Sequence, residues 1–170
     1  DSVDIIRELL PKPADTVGTQ DALVSLDQTF FLHSRPSATK KIYLDFNGHT
    51  TSGTSWTAMN GSSTFTTPPY DFDGDPSTFS TNELERIQYI WQRVSEDYAP
   101  FDVDVTTEDP GVEALRNTTA GDTSYGIRVC IGGASQDWYS TNGYGGVAYI
   151  GCFDWSSDTP CFVWPKNLGN

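Results

Sequence analysis

The sequence predicts a domain of the α/β or α+β class, built on a mixed sheet with at least one parallel strand pair. Three observations carry this expectation. Between Thr81 and Tyr98, the apolar residues Leu84, Ile87, Trp91, Val94 and Tyr98 recur at three- and four-residue steps, one stripe of a helix. Ahead of it, Lys41 to Phe46 (KIYLDF) is rich in β-favouring residues. Behind it, Phe101, Val103 and Val105 alternate with Asp102, Asp104 and Thr106, the period of a half-buried strand. A strand, an 18-residue helix and a strand in succession form a crossover, which lays its two strands parallel.

Taken in order, residues 1–40 read as a lead-in segment. Val3 to Leu10 is expected to make one or two helical turns, stopped by Pro11 and Pro13. Phe30-Phe31-Leu32, within Leu26 to His33, reads as a short strand, punctuated by Ser34-Arg35-Pro36-Ser37. Residues 41–170 form the domain itself. Its first strand closes at Asn47-Gly48. Residues 50–80 are rich in Thr, Ser, Gly and Pro, with only isolated apolar residues (Trp56, Met59, Phe65, Tyr70, Phe72), and read as a long ordered loop. Ser80 followed by Glu83 is a capping-box pattern that starts the helix, and Pro100 stops it. Gly126 to Ile131, Gly145 to Ile150 and Cys161 to Trp164 complete the strands, the second entered through a glycine-rich turn and the third ended by Pro165.

The chain of 170 residues carries 10 Lys and Arg against 23 Asp and Glu, a formal net charge of −13. Such a surface repels nucleic acid and anionic lipid, so neither is an expected partner. No apolar run approaches the ~20 residues of a membrane span. Of three cysteines, Cys152 and Cys161 flank a turn-rich loop and are candidates for a disulfide, which would fit a secreted protein. Cys130 lies in the apolar run Ile127 to Ile131, as a buried thiol or as the partner of a cysteine outside this sequence.

Few residues point to chemistry. His33 and His49, the two histidines, are not spaced to put two ligands on one helix face, and neither has a neighbouring Glu. No nucleophile elbow and no phosphate-binding glycine loop occur. Asp71-Phe72-Asp73-Gly74-Asp75 is the clearest metal-like pattern: alternate carboxylates around a glycine bend can converge on calcium through Asp71, Asp73 and Asp75. The bland alternative is a capped acidic turn. Asn60 and Asn117 stand in N-glycosylation acceptor patterns, read as polar loop residues. Gly143 to Ile150 is either an internal strand or an edge strand able to pair with an extended peptide. Trp138 and Tyr139 would serve a glycan-binding or glycan-cleaving protein.

Several segments together resemble a family of secreted bacterial zinc metallopeptidases with a metzincin-like catalytic domain. They are Lys41 to Thr50 (KIYLDFNGHT), Gly53-Thr54-Ser55-Trp56, Tyr70 to Ser80 (YDFDGDPSTFS), Ile90 to Pro110, Gly121 to Gly133 and Gly145 to Trp155. The resemblance covers residues 40–170 and includes no catalytic motif. It implies the N-terminal half of the catalytic domain, with a mainly parallel twisted sheet, an antiparallel edge strand and one long backing helix. It places Gly146, Val147, Ala148 and Tyr149 on the edge strand that pairs with substrate. The HExxH helix that binds zinc and supplies the catalytic Glu is absent, so the chain is expected to be truncated and inactive alone. Its partners would be a peptide or protein substrate and its own C-terminal half or a second chain. The alternative is a noncatalytic secreted module on the same half-fold, binding peptide or calcium.

Overall fold

A computed structural model describes residues 22–169. The turns expected at Val3 to Leu10 lie outside the described residues. The strands are β1 (Lys41–Asp45), β2 (His49–Ser52), β3 (Thr64–Thr67), β4 (Asp104–Thr106), β5 (Gly126–Ile131), β6 (Gly146–Val147) and β7 (Cys161–Val163). The helices are α1 (Ser55–Asn60) and α2 (Thr81–Tyr98). Five strands make one sheet in the order β4-β1-β5-β7-β6, and β2 and β3 make a separate antiparallel pair. β1 runs parallel to β4 and β5, and β5 parallel to β7; β6 alone runs antiparallel. The chain is therefore a mixed α/β fold, mainly parallel, with an antiparallel edge and one long helix.

Helix α2 starts where the capping pattern places it. The Ser80 N–H and Oγ–H both donate to Glu83 Oε2, at 2.8 and 3.0 Å, and the Phe72 N–H donates to Oε1 at 2.7 Å. Glu83 is fully buried, so this carboxylate is tied by three donors from the preceding loop. The helix packs over β4 and over the 3-10 helix Leu26–Phe31. Ile87 is buried there, and Trp91 Nε1 donates to Val105 O at 2.8 Å. Gln88, a polar residue outside the apolar stripe, is also buried. Its Nε2 donates to Thr29 Oγ1 at 2.9 Å and its Oε1 accepts from Val24 N–H at 3.0 Å.

Residues 30–32 do not form the expected strand. Phe30 and Phe31 end the 3-10 helix Leu26–Phe31, Leu32 is extended, and only His33 bridges to Thr106. Thr107 holds the segment in this shape: its Oγ1 accepts the Leu32 N–H at 3.0 Å and donates to Thr29 O at 2.7 Å, and its own N–H donates to Leu32 O at 3.1 Å. β4 is shorter than the alternation predicts. Phe101 is 58% exposed, while Asp104, Val105 and Thr106 are all buried, as in a covered parallel strand.

The expected loop at residues 50–80 is also corrected. Its first part is the hairpin of β2 and β3, with α1 between them. Threonine is β-branched and favours strands. Thr51, Phe65 and Thr67 turn inward, so the alternation is present but written mostly in threonine. Gly48, at φ 84°, makes the turn out of β1; a Cβ there would lie 2.9 Å from Pro69 N.

The sheet has two different faces. Ile42, Leu44, Phe46, Val105, Ile127 and Ile131 pack with Ile87 on the helix side. Cys130, Phe162 and Trp164 pack on the other side with Trp56 from α1 and Phe65 from β3. The helix side is unevenly covered: Val129, Cys161 and Val163 on β5 and β7 are only half-buried.

Candidate functional site: a sheet edge and three polar clusters

The edge strand β6 contains Gly146 and Val147 but not the rest of the expected run to Ile150. Its register pairs Gly146 with Val163 and Val147 with Phe162. Continued, that register would set Tyr149 opposite Pro160, which has no N–H to give, and the ladder stops. The Trp164 N–H donates to Gly145 O at 2.9 Å. Backbone groups alternate along an antiparallel strand, so Gly145 and Val147 turn theirs to β7 and Gly146 turns its own outward. Gly146 tolerates no side chain, since a Cβ would stand 2.7 Å from Phe162 O. Ala148 is exposed, and Ile150 beyond it is 100% exposed. Tyr149 turns inward, its ring 4.1 Å from Trp56 and 5.5 Å from Trp155.

Asp71 and Asp73 converge as expected, but their third partner is Glu83. One carboxylate oxygen from each lies within 4.8 Å of the others. Asp75 is turned away and accepts from the Ser77 N–H at 3.1 Å and the Thr78 hydroxyl at 3.3 Å. Those bonds, with the Ser77 hydroxyl foremost, hold its carboxyl below the usual range. Asp71 Oδ1 accepts the Gly74 N–H at 2.7 Å, and Lys166 Nζ lies 3.4 Å from Oδ2. Most of the cluster's oxygens are therefore already used by the turn and the helix cap.

A second cluster lies on the sheet face away from α2. Arg128 on β5 is buried between Asp45 (Nη1 to Oδ2, 2.7 Å) and Asp158 (Nε to Oδ2, 3.0 Å). Burial opposes its charge, but the two carboxylates outweigh burial and raise the guanidinium pKa. Burial raises the Tyr43 hydroxyl beneath it. Cys130 pairs in register with Asp45, and His49 at the start of β2 folds back over both. Burial foremost, and then Arg128, lowers the His49 pKa.

His33 forms the third cluster, at the opposite end of the strands. Its Nδ1 and Nε2 each lie 2.7 Å from a carboxylate, Asp104 and Glu108. Lys41 Nζ adds a contact of 3.2 Å to Asp104. Partial burial alone would lower the His33 pKa; the two carboxylates outweigh it and raise it above 6.5. Asp104 is lowered below 3.8, its burial outweighed by His33, the Arg35 N–H and Lys41. His33 thus stabilises the fold fully below about pH 6.5, and that contribution fades as pH rises through its folded-state value. Asp104 contributes above about pH 3.8 and loses its contribution as pH falls through its own lowered value. Thermal melts are expected to show Tm declining above about pH 6.5, and His33→Gln should flatten that decline.

Cys152 and Cys161 are both thiols here, and they lie side by side. Burial, then Cys152, pushes the Cys161 thiol up to about 12. Trp138 and Tyr139 line a cleft of about 400 Å³ with Met59, Asn60, Ser140 and Tyr144. One face of each ring is already taken, Trp138 stacking on Phe65 and Tyr139 on Trp164.

Fold and site together define a mixed α/β protein with an antiparallel sheet edge lacking a strand partner among the described residues. No described helix is long and apolar enough to cross a membrane. No family model, curated protein or solved structure matches the chain.

Proposed function

We propose that this chain is the sheet-forming half of the catalytic domain of a secreted zinc endopeptidase, and that an extended peptide substrate pairs with β6. The observation that carries the reading is the single antiparallel strand at the edge of a parallel sheet. Outward backbone groups at such an edge give affinity to any extended peptide. The half-buried Val129, Cys161 and Val163 beside α2 leave room on the inner face for a further helix. Parallel strands are ordinarily covered on both faces.

The residues here do not fit a peptidase zinc. His33 has both ring nitrogens engaged by carboxylates, and His49 lies on the opposite sheet face from α2. The zinc ligands and catalytic Glu would come from a C-terminal half or a second chain. Within this chain, Gly146, Val147 and Ala148 bind and align the substrate, and Tyr149 braces them from inside.

The test is made on the protein purified with all the sequence encoded with it. Chelator-sensitive cleavage of extended peptides is expected. Ala148 lies just past β6, where the same alternation, carried one residue further, turns the backbone outward. Ala148→Pro should raise KM about tenfold, the worth of one lost backbone hydrogen bond, with zinc content unchanged. Peptide binding without chelator-sensitive cleavage would instead establish the noncatalytic module.

Calcium belongs to that second reading, favoured by the convergence of Asp71, Asp73 and Glu83. A bound ion stabilises by about 2.7 kcal/mol at a hundredfold excess over Kd. Calcium is then expected to raise Tm, and Asp73→Asn to abolish the rise. An unchanged Tm in calcium would leave the cluster as a helix cap and acidic turn.

A further inference from the structure

The geometry points to a buried transition-metal site formed by Asp45, His49 and Cys130, on the face of the sheet away from α2 and separate from the proposed substrate edge. Its natural occupant is zinc. One ligand atom from each residue lies within 4.8 Å of the others. A carboxylate oxygen, an imidazole nitrogen and a thiolate sulfur form the donor set zinc takes in tetrahedral sites, with a fourth position for water. The strand register builds the site: Asp45 and Cys130 are neighbours across the β1–β5 pair, and the turn at Gly48 returns His49 above them.

A second observation is an excess of buried negative charge beside this group. Asp158 Oδ1 is buried without a hydrogen-bond partner, on a side chain only 10% exposed. Asp45 and Asp158 share a single counterion, Arg128, so the pocket holds one buried negative charge in excess. An uncompensated buried charge is costly. A divalent cation binding with loss of the Cys130 thiol proton to solvent brings the sum to zero. Two carboxylates and one thiolate then face one guanidinium and one divalent ion. His49 is available to it, since its Nδ1 is 3.9 Å from Asp45 Oδ2, beyond hydrogen-bonding distance. Trp56, Phe65, Phe162 and Trp164 pack around Cys130 and keep bulk water out.

Cobalt(II) is the probe, because a thiolate ligand gives it a charge-transfer band that histidine and carboxylate ligands do not. Metal-free protein is expected to bind one equivalent with that band, and zinc to displace it. Cys130→Ser should remove the band, and His49→Gln should weaken binding by at least about 100-fold, the upper end of what even supporting residues contribute. The double variant Cys152→Ser/Cys161→Ser should keep the band, which excludes the other thiols as its source. Far-ultraviolet circular dichroism checks that each variant is folded. A missing cobalt band in the wild type, or one that survives Cys130→Ser, overturns the site. A peptidase zinc held by HExxH residues would give no thiolate band, so this result stands or falls apart from the proposed activity.

Discussion

Replacing Arg128 with methionine is expected to lower the unfolding free energy by about 3–5 kcal/mol, the usual cost of removing one partner from a buried ion group. The guanidinium bridges Asp45 at 2.7 Å and Asp158 at 3.0 Å, and all three side chains are at least nine-tenths buried. Methionine fills much of the volume, so the loss is electrostatic. Two carboxylates are left facing each other in a poorly solvated pocket, and one of them already has an oxygen without a partner. The sign of the pH dependence identifies this cause. Unpaired buried carboxylates have raised pKa values in the folded state, so the variant should lose more stability at pH ~8 than at pH ~5. A variant that also replaces Asp45 and Asp158 with neutral residues should lose less than Arg128→Met alone, because no stranded charge remains. Urea denaturation monitored by tryptophan fluorescence reads both comparisons. Equal losses at the two pH values would assign the effect to packing.

What the sequence revealed and what it hid follow from the range of the interactions. The capping box and apolar stripe of α2 are local, and both appear in the structure at Ser80, Glu83, Ile87 and Trp91. The crossover between β1 and β4 follows from the same local pattern. The β2–β3 hairpin was hidden because its inward residues are largely threonines, which read as loop on a hydropathy basis. β6 is shorter than its sequence suggests because its stopping point depends on Pro160, the residue ahead of its partner strand. Sites divide in the same way. Asp71 and Asp73 are two residues apart and were legible, whereas Glu83 was legible only as a cap. Arg128 and Asp45 are 83 residues apart, and the Cys130 pairing depends on strand register, which no local pattern encodes. Their one sequence signal is polarity inside strands otherwise rich in Ile, Val and Leu.

Trp56→Ala is expected to cost about 3–5 kcal/mol, the range for truncating a large buried aromatic side chain, plus about 1 kcal/mol for its hydrogen bond. Trp56 is 2% exposed, and its Nε1 donates to Pro160 O at 2.7 Å, just ahead of β7. Its ring lies 5.9 Å from Trp138, 5.8 Å from Phe162 and 4.1 Å from Tyr149. One residue of α1 thus fastens the hairpin to the sheet, the entry of β7 to α1, and the chain leaving β6 to the body of the protein. The consequence reaches beyond stability. Without the indole, Tyr149 loses the surface it rests on, and the segment after Val147 is no longer braced from inside. Amide hydrogen exchange should accelerate at residues 147–150 and in β2 and β3, while α2, held by Glu83 and Ile87 on the far side of the sheet, stays protected. Trp56→Phe, which keeps a ring but not the N–H, should recover much of the stability and leave only the hydrogen-bond deficit. If the alanine variant loosened all elements equally, Trp56 would be an ordinary core residue. Acceleration confined to the hairpin and the β6 rim would make it the support of the edge on which substrate is proposed to bind.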